Sequence, residues 1–261
     1  MKYTLTQGHP RGFLSTYVTI MTSFRYLTRR GVDPIDIAID RGIFSLYGAG
    51  DNWFDYPRWV DSISGQSFNV MATHKKEEWT TEELGKSVTD LPFSTLHEYS
   101  KLMPLNTRMK DQLEKHSVSL DGALGIHYRG TDHQGYHTIP VSLTTFLTYT
   151  GRLLGGGKFS KVFLASDERA PYEKIRELVI SYPSVGFIGN DFYRSATSTP
   201  IHFTQMEPAA KIQTADEVLI DATMLSKCAK ILARHSNILN YAWIINPQID
   251  VTYLDGAFQH V

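Results

Sequence analysis

The sequence predicts an α/β fold with an open parallel sheet, and two observations carry that expectation. From Gly122 onward, short apolar runs alternate with amphipathic stretches long enough to cross back over a sheet. Glycine, proline and polar clusters separate these runs, as strand and crossover units require. In such a fold the ligand crevice lies beyond the C-terminal ends of the strands.

Taken in order, LSTYVTIMTSFRYLTRR places Leu14, Val18, Met21, Phe24 and Leu27 at helical spacing behind the turn HPRG. Gly12 and the amides around Ser15 then stand at a helix N-terminus that favours an anion, although a plain turn glycine explains the same letters. FSLYGAGDNWFDYPRWV is aromatic and broken by glycine, a loop whose Trp53, Phe54, Tyr56 and Trp59 either stack on a sugar or anchor a core. From Asn69 to about Ser119 the chain is more polar, with helices expected near Thr81 to Leu84 and over Asn106 to Lys115. This stretch divides a smaller N-terminal part, residues 1–117, from a better patterned part, residues 118–261.

The second part alternates clearly. GALGIHYR reads as a strand, PVSLTTFLTYTGRLL as a helix with Pro140 near its first turn, and KVFLAS as a strand. PYEKIRELVISY is the next helix, VGFIG the next strand, TADEVLIDATMLSKC a helix and AKILAR the last strand.

Composition narrows the function classes. The 261 residues suffice for a substantial core, and 42% hydrophobic against 20% charged residues is ordinary for a globular chain. Lys and Arg total 26 against 27 Asp and Glu, so no nucleic-acid partner held by general phosphate attraction is expected. One cysteine, Cys228, excludes an internal disulfide and favours a reducing compartment. No run approaches the roughly 18 apolar residues of a membrane span, and MKYTLTQGHPRG lacks a signal-peptide core. The expectation is a cytoplasmic or otherwise soluble protein.

Chemistry gathers at the expected strand ends. A period of two puts Leu124, Ile126 and Tyr128 on one face and Gly125, His127 and Arg129 on the other, with Gly125 leaving space beside the polar pair. A permanent cation next to an imidazole suits a phosphate beside a polar base; an arginine paired with Asp132 and a satisfied histidine is the alternative. KVFLASDE ends in Ser166, Asp167 and Glu168, which bind substrate, cap the following helix, or both. Thr214 and Glu217 have the spacing of a capping box opening the next helix. Asp221 lies on that helix's flank, where it reads the adjacent N–H donors of guanine, meets a local basic partner or faces solvent. After AKILAR come His235, Ser236 and Asn237, placed to cap a short helix, to hold a phosphate on its free amides, or both.

Other chemistries fail on spacing. In LLGGGKFSK, Lys158 is followed by Phe159 and the first P-loop glycine is absent; the stretch also precedes a strand. No HExxH or GxSxG occurs. His127, His133 and His137 straddle a strand and a turn, so no metal is expected.

HYRGTD, VFLASDE and DATMLSKCAKILARHSN together resemble the conserved regions of the GDP-fucose-dependent fucosyltransferases grouped around the α1,6- and protein O-fucosyltransferases. His127, Arg129 and Asp132 match the first region's H-x-R-x-x-D; Asp221, Leu225, Ser226 and Ser236 fit the third, with Asn237 where several members carry a second serine. The resemblance covers Gly122 to Trp243. It implies a GT-B-type architecture of two Rossmann-like lobes, here with a reduced N-terminal lobe on the acceptor side. It implies inverting, metal-independent transfer of fucose from GDP-fucose to an acceptor hydroxyl, no other cofactor, and a glycan as partner; another nucleotide sugar or a noncatalytic GDP-sugar-binding module are the alternatives. Arg129 would bind the β-phosphate, His127 and Asp221 guanine or its ribose, and Ser236 with Asn237 the pyrophosphate. Gly8 to Phe13 with Ser15 would stand for the first lobe's glycine-rich loop. For the acceptor proton, Asp132 and His133 are candidates, with Asp51 and Asp55 as open alternatives.

Overall fold

The computed structural model describes residues 3–5, 13–33, 37–39, 93–130, 141–197, 199–201, 204 and 206–254. Gly12, Asp51, Asp55, Asp132, His133, His137, Pro140, the aromatic loop and the helix expected near Thr81 lie outside them. The chain divides into two compact units, Met1–Lys115 with Met206–Asp216, and His116–Gln205 with Glu217–Val261.

In the first unit, β1 (Tyr3–Leu5) pairs in parallel with β2 (Ile37–Ile39). Helix α1 (Phe13–Thr28) buries Leu14, Val18, Met21, Phe24 and Leu27, the stripe its spacing predicts. It is followed by Gly31 at φ 81°, a conformation that favours glycine. Helix α2 (Phe93–Ser100) meets it through Tyr99, whose hydroxyl lies 2.6 Å from Thr28 Oγ1. Helix α3 (Thr107–Lys115) begins where Asn106 Oδ1 accepts the Met109 amide at 2.9 Å, and it buries Met109 and Leu113. Arg108 forks onto both carboxylate oxygens of Asp216 at 3.0 and 2.8 Å.

The second unit is built on a five-stranded parallel sheet of order β5-β4-β3-β6-β7. Its strands are β3 (Leu124–Tyr128), β4 (Lys161–Ser166), β5 (Gly186–Gly189), β6 (Lys230–Ala233) and β7 (Asp250–Tyr253). Every residue of β3 is buried, the pattern of a central parallel strand covered on both faces. The helices are α4 (Leu143–Gly155), α5 (Arg169–Ile180), α6 (Pro208–Leu225), which belongs to this unit from Glu217 onward, and α7 (Asn237–Ile245). Ser142 caps α4 by accepting the Thr145 amide at 3.0 Å, and Gly156 and Gly157, the latter at φ 67°, end it. Leu124, Ile126 and Tyr128 join Phe146, Leu154, Val162, Leu164, Ile175, Val179 and Leu232 in one cluster. Each such fully buried side chain contributes roughly 1.5–3 kcal/mol.

Two expectations are corrected by this structure, and one alternative left open is decided. Thr214 does not cap α6, because the helix starts at Pro208, whose missing N–H costs nothing at a first turn. Thr214 sits within it and donates to Ala210 O at 2.9 Å, while Glu217 accepts the Tyr193 amide at 3.1 Å. Gly125 leaves no space beside His127: a Cβ there would stand 3.0 Å from Cys228 Sγ and 3.1 Å from Leu225 Cδ2. Neither Asp167 nor Glu168 caps α5. Glu168 holds the cap position without a side-chain hydrogen bond, and Asp167 turns to Gly130.

Candidate nucleotide site

In the sheet order, β4 and β5 follow β3 on one side and β6 and β7 lie on the other. The chain therefore reverses between β3 and β6, and connections leave their C-terminal ends in opposite directions, which opens a crevice at that point. Residues of both strand ends meet there.

His127 is 1% exposed and is flanked in register by Ala165 and Ala233, whose small side chains leave the imidazole room. Its Nδ1 lies 3.2 Å from Ser236 Oγ. Ser236 caps α7, its hydroxyl accepting the Leu239 amide at 3.3 Å. One hydroxyl thus ties the β3 imidazole to a helix N-terminus, whose leading amides have no helical acceptor and favour an anion. Asn237 is the first helical residue, and its Oδ1 accepts from Asn240 Nδ2 at 3.4 Å.

Arg129 follows β3 and keeps part of its surface exposed. Its carbonyl accepts from Arg234 Nη1 at 3.0 Å. Arg234, 1% exposed, extends β6 and so brings a buried cation to the same strand ends. Next to Arg129 in sequence, the Gly130 amide donates to Asp167 Oδ1 at 3.2 Å, and the Glu168 carboxylate occupies the space that a Cβ at Gly130 would take. Burial and the neighbouring Asp167 push the Glu168 carboxyl up from its ordinary pKa. Gly12 lies outside the described residues, and Ser15 is in the first turn of α1, in the other unit.

A second polar cluster occupies the end of β5. Asp221, 9% exposed, accepts from Asn190 Nδ2 at 2.8 Å through Oδ1. Burial pushes its carboxyl up to about 7, against the opposing pull of the Asn190 hydrogen bond and the Arg194 charge. The Arg194 guanidinium lies 3.5 Å over the Tyr172 ring and donates to Phe192 O at 2.9 Å and Asn190 O at 2.6 Å. Asp221 therefore has both a donor and a cation nearby, the local partners that the sequence left open.

Sequence reasoning missed Arg234, Asn190 and Arg194. Arg234 is the last letter of AKILAR, in phase with Leu232, and Asn190 directly follows VGFIG. Both occupy the strand-end positions that singled out His127 and Ser236. Among the described residues no group of three His, Cys, Asp or Glu side chains is placed to hold a metal ion, and no helix is long and apolar enough to cross a membrane.

No protein-family model matches this chain, and no curated protein sequence does. Solved structures do. The α-1,6-fucosyltransferase NodZ soaked with GDP-fucose superposes with a TM-score of 0.61 at 15% identity, over 100% of this chain and 98% of NodZ. NodZ from Bradyrhizobium gives 0.59 at 16% identity over 98% and 97%, and NodZ co-crystallised with GDP gives 0.58 at 15% over 95% and 93%. The chain shares the fold of these fucosyltransferase structures, with a Rossmann-like lobe of five parallel strands.

Proposed function

We propose that the chain is a glycosyltransferase of the GDP-fucose-dependent superfamily, moving fucose with inversion and without a metal from GDP-fucose to an acceptor hydroxyl. The observation that carries this reading is the tie between His127 and Ser236, at the point where the strand order reverses and at the N-terminus of α7. On this reading residues 118–261 form the donor lobe of a GT-B-like pair and residues 1–117 a reduced acceptor lobe.

In the reaction the acceptor oxygen attacks the anomeric carbon while the bond to the β-phosphate oxygen breaks, and GDP leaves with the electron pair. Negative charge grows on the pyrophosphate. Arg129 and the first-turn amides of α7 with Ser236 and Asn237 stabilise it, in a low-dielectric setting where fixed donors act strongly. Arg234 holds the Arg129 backbone through its carbonyl. His127 and Asp221 contact the ribose and guanine, and Asp167 holds the Gly130 turn through the amide it accepts. Asp132 and His133, close to Arg129 in sequence, are proposed for the acceptor proton.

Calorimetric titration with GDP, UDP and ADP tests the reading. GDP is expected to bind in preference, and Arg129→Ala is expected to lose that affinity with little loss of folding. Equal binding of the nucleotides, or no binding of GDP, would overturn it. Turnover of GDP-fucose against GDP-mannose then tests the sugar.

A further inference from the structure

The cluster at the end of β5 is built more elaborately than capping or packing requires. Asn190 stands immediately after β5, as Arg129 follows β3 and Arg234 follows β6. Its amide nitrogen donates to Asp221 Oδ1 at 2.8 Å, and its backbone carbonyl receives Arg194 Nη2 at 2.6 Å. Arg194 is itself fixed, 7% exposed, with its guanidinium stacked 3.5 Å over Tyr172 and a second donation to Phe192 O. The next acid along α6, Glu217, one turn before Asp221, accepts the Tyr193 amide. Two carboxylates one helical turn apart therefore clamp the segment after β5, and Asn190 is the clamp's contact with Asp221.

The hydrogen bond occupies one oxygen of Asp221, so it fixes the plane of the carboxylate while Oδ2 makes no hydrogen bond to another described residue. A carboxylate held in one plane by one donor is ready to accept the paired N1–H and 2-amino donors of a purine from a set direction. Arg194 spends both terminal nitrogens on backbone carbonyls, so it braces the segment and does not fork onto the acid.

We propose that Asn190 is a positioning residue that sets the base preference of the nucleotide site by holding the Asp221 carboxylate. The inference rests on the reading of the strand-end crevice as a GDP-sugar site. Asn190 acts through Asp221, and the Arg194 brace on Tyr172 keeps Asn190 in register with it.

The test compares GDP, IDP and ADP binding by calorimetry for the wild type, Asn190→Ala, Asn190→Asp, and the exchange variant carrying Asn190→Asp with Asp221→Asn. IDP lacks the 2-amino group and so reports the guanine-specific part of the affinity. Wild type should prefer GDP over IDP, and Asn190→Ala should narrow that preference by about tenfold, the scale of one hydrogen bond to a charged group. Asn190→Asp keeps the shape and removes the donor, so it should do the same. The exchange variant restores an amide–carboxylate pair and hence the thermal midpoint, but it presents an amide at position 221 and should not regain the preference. If Asn190→Asp folds and keeps the wild-type GDP-to-IDP ratio, or if the exchange variant regains it, the role assigned to Asn190 is overturned while the site reading stands. If the wild type itself shows no preference for GDP, both fail together.

Discussion

Ser236 Oγ lies 3.2 Å from His127 Nδ1 while accepting the Leu239 amide, so one hydroxyl caps a helix and holds the imidazole of a central strand. The two tasks separate by substitution. Ser236→Ala should cost about 1 kcal/mol of stability through the lost cap, read as a shift in a urea midpoint. Ser236→Asp keeps a capping oxygen and should retain stability, yet it sets a negative charge where the pyrophosphate is proposed to sit. GDP affinity should fall for this variant even though the fold survives; retained affinity would remove Ser236 from the phosphate site.

Asp221 predicts a dependence of stability on pH. Its carboxyl titrates near about 7 when folded against an ordinary 3.8, so the native state holds the proton more tightly than the unfolded chain. The stabilisation from this group is complete below the ordinary value and is lost as pH rises toward about 7. Wild type should therefore lose stability between pH 5.5 and pH 8 relative to Asp221→Asn, by up to a few kcal/mol. Parallel urea curves for the two proteins at both pH values give the answer, and identical pH slopes would show that the carboxyl titrates normally.

Gly125 predicts a packing effect on the face of the sheet that carries His127. A methyl group there meets Cys228 Sγ at 3.0 Å and Leu225 Cδ2 at 3.1 Å, so Gly125→Ala should destabilise by about 1–3 kcal/mol. Combining it with Cys228→Ala, which removes the nearest of these atoms, should recover part of the loss. Additive losses in the double variant would mean that the two residues do not share the contact.

Arg234 predicts a large effect from a residue with no conspicuous motif. Its side chain is 1% exposed and donates to the Arg129 carbonyl at 3.0 Å, so Arg234→Ala leaves both a void and an unmet acceptor. A loss of roughly 3 kcal/mol or more is expected in chemical denaturation. Arg234→Lys should fall between the two, since an ammonium offers a donor without the planar reach of a guanidinium.

The sheet was legible where burial on both faces writes a continuous apolar run. KVFLAS matches β4 at both ends, and GALGIHYR, VGFIG and AKILAR contain β3, β5 and β6. The edge strand β7 was not read: IDVTY alternates Ile249, Val251 and Tyr253 with Asp250 and Thr252, but a strand of four residues is too short for that alternation to stand out. β1 and β2 are three residues each, too short for any periodicity, and α2 offered no cap or stripe of its own. At the site, phasing placed His127 on the opposite face from the cluster of Leu124, Ile126 and Tyr128, and the capping chemistry of Ser236 was readable. What fills the space beside Gly125 was not, since Leu225 and Cys228 come from the other end of the unit's sequence.

His127 and Ser236 are 109 residues apart in the chain, and they meet only when β6, which leads to Ser236, pairs with β3. Contacts of such long range form late, after the loop entropy between them has been overcome. During synthesis, a nascent chain that has completed β3, β4 and β5 already owns most of its apolar cluster but none of the β6 and α7 residues. Binding of the proposed nucleotide should consequently report completion of folding, arriving only with the last strands of the unit.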